Sequence, residues 1–204
     1  MNVDNYCLPP GYRSRSASTA VLSVTDGAQT RVYRWAAQLA ARDPAITSVL
    51  DWGCGSGAKL VKFFARYDTL GVDLDYRLAS LRARFPDRRW DVVPVPAVAD
   101  MLLCVDVIEH LDDPAALLRH FHAGRWRHLV LATPERELVA RRKYRGRRAR
   151  RQQRQGPPGN RWHTREWTAS EFSHFLTREF DQTPEIHLLG RWNLIACLTR
   201  KEQR

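Results

Sequence analysis

Apolar and polar positions follow two recurring patterns along this chain. Continuous apolar runs that end in turn residues predict buried strands, and apolar residues spaced three and four apart predict helices. The strands are predicted over residues 46–51, 70–75, 90–93, 101–105, 128–132, 186–189 and 194–198. The helices are predicted over residues 58–65, 76–85, 114–122 and 168–179, after a first helix that follows a capping box at 26–29 and ends before Asp43. This alternation of strands and helices is typical of an α/β fold.

Chain length and turn residues predict one domain with two less regular segments. The 204 residues fit a single α/β unit of six or seven strands. Residues 1–24 are polar and irregular and are expected to pack over one edge or to cover a ligand, so the domain proper spans 25–204. A basic insertion over 135–162 separates the fifth strand from the last helix. No apolar run is long enough for a membrane span and no leader pattern is present, so we expect a cytoplasmic protein without a membrane partner.

A glycine-rich turn follows the first predicted strand. Gly53, Gly55 and Gly57 occupy alternate positions, and such a turn lets the backbone approach a ligand that a Cβ atom would push away. Asp51 ends the strand before the turn, and Asp73 lies near the end of the next strand, from which a carboxylate can hold ribose hydroxyls. A nucleotide-like cofactor is expected at this edge of the sheet.

The segment 49–57 followed by 71–73 closely resembles the first two motifs of the S-adenosylmethionine (SAM) methyltransferases with a Rossmann-like fold. This resemblance implies a doubly wound, mostly parallel seven-stranded sheet in which only the last strand is antiparallel. It implies SAM as the cofactor, with Asp51 near the amino-acid part of SAM and Asp73 on the ribose. Asp75 is the alternative ribose ligand.

The same resemblance extends to three further positions of the cofactor site. Gly53, Cys54 and Gly55 are implied to present their backbone to SAM. An acid near adenine at the end of the third strand is frequent in the family, and Asp91 is the candidate here. The alternative interpretation of Asp91 is a solvated loop residue.

Acidic residues and a histidine follow the fourth predicted strand. Asp106, Glu109 and His110 should lie at the carboxyl end of that strand, where open α/β sheets bind their ligands. Methyl transfer to a hydroxyl requires an in-line nucleophile and the loss of its proton, which a histidine can accept near neutral pH. We therefore take these three residues as catalytic candidates.

The Asp106, Glu109, His110 pattern and the later His163 before Glu-Trp-Thr resemble the small-RNA 3′-terminal 2′-O-methyltransferases. The resemblance implies that these four side chains can hold a divalent metal, and oxygen-rich ligation favours Mg²⁺ or Mn²⁺ over zinc. Two alternatives stay open. The residues can form a metal-free wall of the substrate site, with His110 or His163 as base or hydrogen-bond partner, or Glu109 and His110 can cap the following turn.

The net charge of +11 points to an anionic partner in principle. Much of the excess lies in one stretch of the insertion that has no acid, namely Arg141, Arg142, Lys143, Arg145, Arg147, Arg148, Arg150, Arg151 and Arg154. Methyltransferases that resemble this chain place substrate-selecting elements there, and guanidinium groups bind phosphate or carboxylate. A solvated basic face is the alternative interpretation.

Three functional hypotheses follow. The first is a SAM-dependent methyltransferase that acts on an O or N atom of a small molecule or sugar-bearing metabolite. A looser resemblance of residues 8–12, 156–160 and 163–168 to stand-alone bacterial methyltransferases of glycan and natural-product pathways favours it. The second is an RNA methyltransferase of the 2′-O type, although the insertion lacks regularly interleaved aromatic residues for base stacking. The third is a non-catalytic protein that keeps the fold.

Overall fold

The computed structural model of the protein describes residues 27–143, 158, 160 and 163–200. The predicted segment 1–24 and most of the insertion after residue 143 lie outside the described residues. Six helices are described: α1 (Ala28–Arg42), α2 (Ala58–Phe63), α3 (Leu78–Arg84), α4 (Pro114–His122), α5 (Arg136–Lys143) and α6 (Ala169–Phe180). Two 3₁₀ turns cover Asp75–Arg77 and Ile108–His110.

The seven strands are β1 (Ser48–Trp52), β2 (Asp68–Asp73), β3 (Arg89–Val92), β4 (Met101–Val105), β5 (His128–Pro134), β6 (Glu185–Leu189) and β7 (Asn193–Thr199). They form one sheet in the order β3-β2-β1-β4-β5-β7-β6. The first five strands in that order pair in parallel, and β7 pairs antiparallel with both of its neighbours. The prediction of a mostly parallel seven-stranded sheet with only the last strand antiparallel is confirmed.

Helices cover both faces of this sheet. Along β4, Leu102 and Cys104 belong to one apolar cluster, which α4 and α6 complete with Leu117 and Phe172. The alternate β4 residues Met101, Leu103 and Val105 belong to a second cluster, completed by residues of α1, α2 and α3 such as Val32, Leu60 and Leu81. Because successive side chains point to opposite faces, the continuous apolar run of β4 fills both layers. The sheet is therefore doubly wound, as predicted.

The two predicted capping boxes have different outcomes. At α6 the box is present, since Thr168 Oγ1 accepts from Glu171 N at 3.3 Å and Glu171 Oε2 accepts from Thr168 N at 2.8 Å. At α1 the N-cap is Gly27, which has no side chain that could form a capping box, and Asp26, the first residue of the predicted box, lies outside the described residues. Gln29, the last residue of the predicted box, instead donates its side-chain amide to Asp106.

Within the described part of the chain, none of the helices is both long and apolar enough to cross a bilayer. Of the basic stretch of the insertion, only the beginning is described, as the end of α5, and the arginines from residue 145 onward lie outside the described residues.

Gly71 on β2 packs closely against the Trp90 side chain of β3, and this contact provides a test of the fold. A Cβ atom at Gly71 would lie 2.3 Å from Trp90 Cζ3, so Gly71→Ala should lower the free energy of unfolding by about 1–3 kcal/mol. Denaturant unfolding measures this cost. In a Trp90→Phe background the clash is relieved, and the same substitution should cost clearly less. Equal costs in both backgrounds would contradict the packing explanation.

Candidate functional site

The glycine turn lies between β1 and α2 and is closed by hydrogen bonds to β2. The N–H groups of Gly53 and Cys54 both donate to Val72 O, at 2.9 and 3.0 Å. Gly53 has a φ of 80°, a left-handed conformation that favours glycine, and a Cβ atom there would lie 2.4 Å from Val107 Cγ2. Gly55 and Gly57 also have positive φ values, and Gly57 is the N-cap of α2. The predicted strand, glycine turn and helix are thus confirmed as a unit.

Asp51 lies at the end of β1 and is completely buried. Its Oδ2 accepts a hydrogen bond from the Tyr33 hydroxyl at 2.8 Å, whereas its Oδ1 has no partner among the residues that the structure describes. Burial raises the pKa of Asp51 to about 7, although the bond from Tyr33 and the charge of Lys59 act in the opposite direction. An unpartnered carboxylate oxygen in this position can accept a hydrogen bond from a cationic ligand.

Asp73 connects the end of β2 to the glycine turn. Its Oδ2 accepts from Gly55 N at 2.7 Å, and its Oδ1 accepts from Leu74 N at 2.8 Å and lies 3.1 Å from Arg77 Nε. Burial raises the pKa of this carboxyl, and Arg77 and the two backbone bonds lower it in part. A carboxylate can accept about four hydrogen bonds, so Asp73 keeps capacity for one more partner.

The other predicted cofactor residues lie in different environments. Cys54 is buried in the glycine turn, and burial raises the pKa of its thiol well above the usual value. Asp91 is exposed on the edge strand β3, where its Oδ1 accepts from the next backbone N–H, that of Val92, at 2.8 Å. Asp75, the alternative ribose ligand, is exposed in the first 3₁₀ turn. The structure therefore brings Cys54 close to the predicted cofactor site, but leaves Asp91 facing solvent.

Asp106 follows β4 in a left-handed conformation with a φ of 54°, which is uncommon for a residue with a side chain. Its Oδ2 accepts from Gln29 Nε2 of α1 at 2.8 Å. Burial raises the pKa of the Asp106 carboxyl, while the hydrogen bond from Gln29, the charge of Lys59 and, when its ring is protonated, the charge of His163 lower it in part. Asp106 thus lies at the predicted edge of the sheet, between the first helix and the later histidine.

Glu109, His110 and His163 converge at the same edge. One ligand-capable atom of each residue lies within 4.8 Å of the other two, and the two imidazole rings are 4.9 Å apart in a T-shaped arrangement. Glu109 is completely buried, and neither of its carboxylate oxygens has a hydrogen-bond partner among the described residues. Burial raises the pKa of Glu109 well above its ordinary value, and the charge of Asp106 adds to the effect. Asp106 itself lies outside this three-residue group.

Residues far apart in sequence are joined here by hydrogen bonds from Thr164. Its backbone N–H and its hydroxyl both donate to Glu109 O, at 2.8 and 3.0 Å, and the hydroxyl also lies 2.8 Å from Leu111 O. These bonds fasten the segment before α6 onto the 3₁₀ turn after β4. His163 is therefore held beside Glu109 and His110 by the backbone and not only by side-chain contacts.

Residues 26–180 match a known family of proteins, the methyltransferase domain. The chain belongs to this methyltransferase domain family. It is a SAM-dependent methyltransferase, as the resemblance of its glycine turn and second strand implies. No curated protein sequence matches the chain closely enough to count as a relative.

Solved structures of other methyltransferases share the fold. The magnesium protoporphyrin IX methyltransferase of Synechocystis PCC 6803, with S-adenosylhomocysteine bound, has a TM-score of 0.62 and 15% identity, covering 85% of this chain and 84% of that one. The 1,6-didemethyltoxoflavin-N1-methyltransferase of Burkholderia thailandensis has a TM-score of 0.61 and 21% identity, over 87% and 80% of the two chains. The methyltransferase domain of bacterial CtHen1-C has a TM-score of 0.59 and 19% identity, over 84% and 97%. At these identities the likeness shows the fold alone.

Several residues of the methyltransferase site were not predicted from the sequence. Gln29 and Tyr33 lie one turn apart on α1 and reach Asp106 and Asp51, but their uncharged side chains gave no signal of this role. Lys59, directly after the glycine turn, contributes positive charge to both carboxylates. Glu166 contacts His163, and their spacing of three residues is the only sequence signal that could have indicated the pair.

Asp51 gives the methyltransferase a testable pH dependence of stability. Its pKa is 3.8 ordinarily and about 7 in the native protein, so the native state binds the proton more tightly than the unfolded chain. The stability contributed by this proton is complete below pH 4 and is lost as the pH rises through 7. Asp51→Asn should therefore gain free energy of unfolding relative to wild type between pH 4 and 8, by up to about 4 kcal/mol.

Urea unfolding of both proteins across this pH range measures the difference. Asp100→Asn is a control of opposite sign. Burial tends to raise the Asp100 pKa, but the hydrogen bonds from Thr47 and Ser48 lower it below its ordinary value overall. Replacing the Asp100 carboxylate should therefore lower the free energy of unfolding more at high pH than at low pH. Parallel pH curves for wild type and Asp51→Asn would contradict the assignment.

Proposed function

We propose that the protein transfers the methyl group of SAM to an O or N atom of a small molecule or sugar-bearing metabolite, with a hydroxyl as the favoured acceptor. The observation that carries this proposal is the convergence of Glu109, His110 and His163, within 4.8 Å, at the carboxyl end of β4. In an open α/β sheet this edge, next to the glycine turn after β1, is where ligand chemistry takes place.

The residues on the donor side fit SAM. When bound, SAM supplies an electrophilic methyl group on a sulfonium, so the protein itself needs no covalent chemistry. The unpartnered Oδ1 of Asp51 fits the ammonium of its amino-acid part, and the glycine turn presents backbone to it. Asp73, with capacity for one further hydrogen bond, fits a ribose hydroxyl.

The residues on the acceptor side fit a hydroxyl nucleophile. A hydroxyl must lose its proton as it attacks the methyl group, and an imidazole is suited to accept it near neutral pH. His163 is held by polar contacts and by the neighbouring Thr164, so its position is fixed. The magnesium protoporphyrin IX and toxoflavin methyltransferases act, by their names, on small molecules, and this supports an acceptor of that size.

A second candidate function is methylation of an RNA 2′-hydroxyl with a divalent metal. It is favoured by Glu109, a buried carboxylate without a partner among the described residues, beside two imidazoles. The fold is also shared with the CtHen1-C methyltransferase domain. Because Asp106 lies outside the group, the ligand set is one carboxylate and two imidazoles, which suits Mn²⁺ better than Mg²⁺. Such a metal would position the hydroxyl and favour its deprotonated form.

The donor site is tested by calorimetric titration of SAM into wild type, Asp73→Asn and Asp75→Asn. Loss of the Asp73 carboxylate should weaken binding by tenfold or more, about 1.4 kcal/mol, because a buried, charge-assisted hydrogen bond is lost. Asp75→Asn is the matched control, since this exposed neighbour should bind SAM as wild type does. Thermal melting shows whether each variant is folded. Weakening only in Asp75→Asn would assign the ribose to the alternative residue.

Metal binding is tested by thermal unfolding with and without Mn²⁺ in wild type, Glu109→Gln and Asp112→Asn. A metal held by Glu109 should stabilise wild type by about 3 kcal/mol at a concentration of a hundred times its Kd, and should not stabilise Glu109→Gln. Asp112, an exposed acid nearby, is the control and should respond like wild type. An equal response of all three proteins would show that Mn²⁺ binds elsewhere.

The acceptor class is tested by following a radiolabelled methyl group from SAM into a cell extract. Label in the small-molecule fraction, dependent on His163, supports the first function. Label confined to RNA and dependent on Mn²⁺ would establish the second and contradict the first. RNA binding should then weaken steeply with salt, because phosphate contacts release counterions.

A further inference from the structure

His163 is held by a polar contact on each of its ring nitrogens. Its Nδ1 lies 2.8 Å from Glu166 Oε1, and its Nε2 lies 2.8 Å from Asn160 Nδ2. The side chains of His163 and Glu166 are only 8% and 1% exposed. The orientation of the ring is therefore fixed in a site that is almost closed to water.

The two partners together define where the ring proton lies. A carboxylate oxygen only accepts hydrogen bonds, and an amide nitrogen only donates them. Glu166 therefore requires a proton on Nδ1, and Asn160 requires a lone pair on Nε2, which together describe one tautomer of the neutral ring. We propose that Glu166 is a positioning residue that fixes His163 in the Nδ1–H tautomer and so reserves the Nε2 lone pair for the reaction.

This inference rests on the proposed role of His163 in methyl transfer. His163 needs an unprotonated nitrogen, whether it takes a proton from the substrate hydroxyl or binds a metal ion. Its Nδ1 already forms a hydrogen bond with Glu166, so this nitrogen must be Nε2. Asn160 occupies the Nε2 lone pair in this structure. The acceptor hydroxyl or the metal ion must take the place of this amide when the site is in use.

A purely structural role would not explain the burial of Glu166. Within residues 27–143 and 163–200, its second oxygen, Oε2, has no hydrogen-bond partner, and the residue is only 4% exposed. Leaving a buried acceptor unsatisfied costs about 1–3 kcal/mol, and more for a charged group. The segment is already fastened to the 3₁₀ turn through Thr164. The buried carboxylate of Glu166 thus lowers the stability of the protein. The polar contact described for it is the one with His163.

The substitution Glu166→Gln tests the tautomer. Glutamine has the same shape, but its amide N–H can donate to Nδ1. The ring proton then moves to Nε2, and Asn160 turns its amide so that its oxygen accepts from Nε2–H. The readout is ¹⁵N NMR of histidine-labelled protein, in which the two tautomers give distinct nitrogen shifts, with the His163 signal assigned from its loss in His163→Gln. We expect the Nδ1–H pattern in wild type and the Nε2–H pattern in Glu166→Gln.

Glu171→Gln is the matched control. It lies on the same segment, is exposed, and belongs to a capping box in which glutamine also functions, so it should keep the wild-type spectrum. An Nε2–H pattern in the wild-type protein would overturn the inference, and this measurement requires no variant to fold. An unchanged tautomer in a folded Glu166→Gln protein would overturn it as well.

Activity then separates this inference from the proposed function. With an acceptor in hand, kcat of Glu166→Gln should fall by about 10²–10⁴, the usual contribution of a correctly placed base, while the KM for SAM stays unchanged. If Glu166→Gln changes the tautomer but His163→Gln is as active as wild type, then Glu166 positions His163 and the proposed use of His163 fails. If His163→Gln is inactive but the tautomer is insensitive to Glu166, the positioning inference alone fails.

Discussion

Buried carboxylates that meet at one edge of a parallel sheet are the constraint on which the rest of this structure depends. Asp51 and Asp73 lie at the ends of β1 and β2, and Asp106 and Glu109 follow β4, so the four residues lie on three neighbouring strands. Asp51, Asp73 and Glu109 are buried and Asp106 is half-buried, and the charge of Asp73 acts on Asp51 as that of Asp106 acts on Glu109. Burial raises the pKa of all four, and the charge of Asp106 adds to this effect at Glu109. Such a group is stable only with donors and cations around it, and much of the local architecture supplies them.

The hydrogen-bond donors to these carboxylates come mainly from helix α1 and the glycine turn. Helix α1 provides Tyr33 to Asp51 and Gln29 to Asp106, and the glycine turn provides Gly55 N–H to Asp73. These bonds leave Oδ1 of Asp51 and both oxygens of Glu109 without partners among the described residues. SAM carries an ammonium and a sulfonium, and these positive charges can complement carboxylates that Lys59 and Arg77 compensate only in part. The same arrangement that weakens the free protein thus prepares it for a cationic ligand.

The fold could be predicted almost completely, because each element has its own local signal. The apolar run of β4 and the amphipathic pattern of α4 gave their bounds without error, and the glycine turn identified the cofactor edge. The candidate site was only partly predictable. Glu109, His110 and His163 could be named from their motif, but Gln29, Tyr33 and Glu166 act through contacts that only folding creates. Asp106 was grouped with the cluster by sequence proximity, yet its left-handed backbone places its carboxylate against α1.

Glu109 shows why the same three side chains support two kinds of chemistry. A completely buried carboxyl without a described partner must either keep its proton or have a cation beside it. With a proton, it is a neutral group, and the imidazoles are the bases of the site. With a metal ion, it is a charged ligand, and the imidazoles bind the metal beside it. Both states need His163 with a lone pair on Nε2, so the pairing of His163 with Glu166 is useful whichever cation compensates Glu109. The Nδ1–H tautomer of His163 thus suits the site whether the methyl acceptor is a small molecule or an RNA.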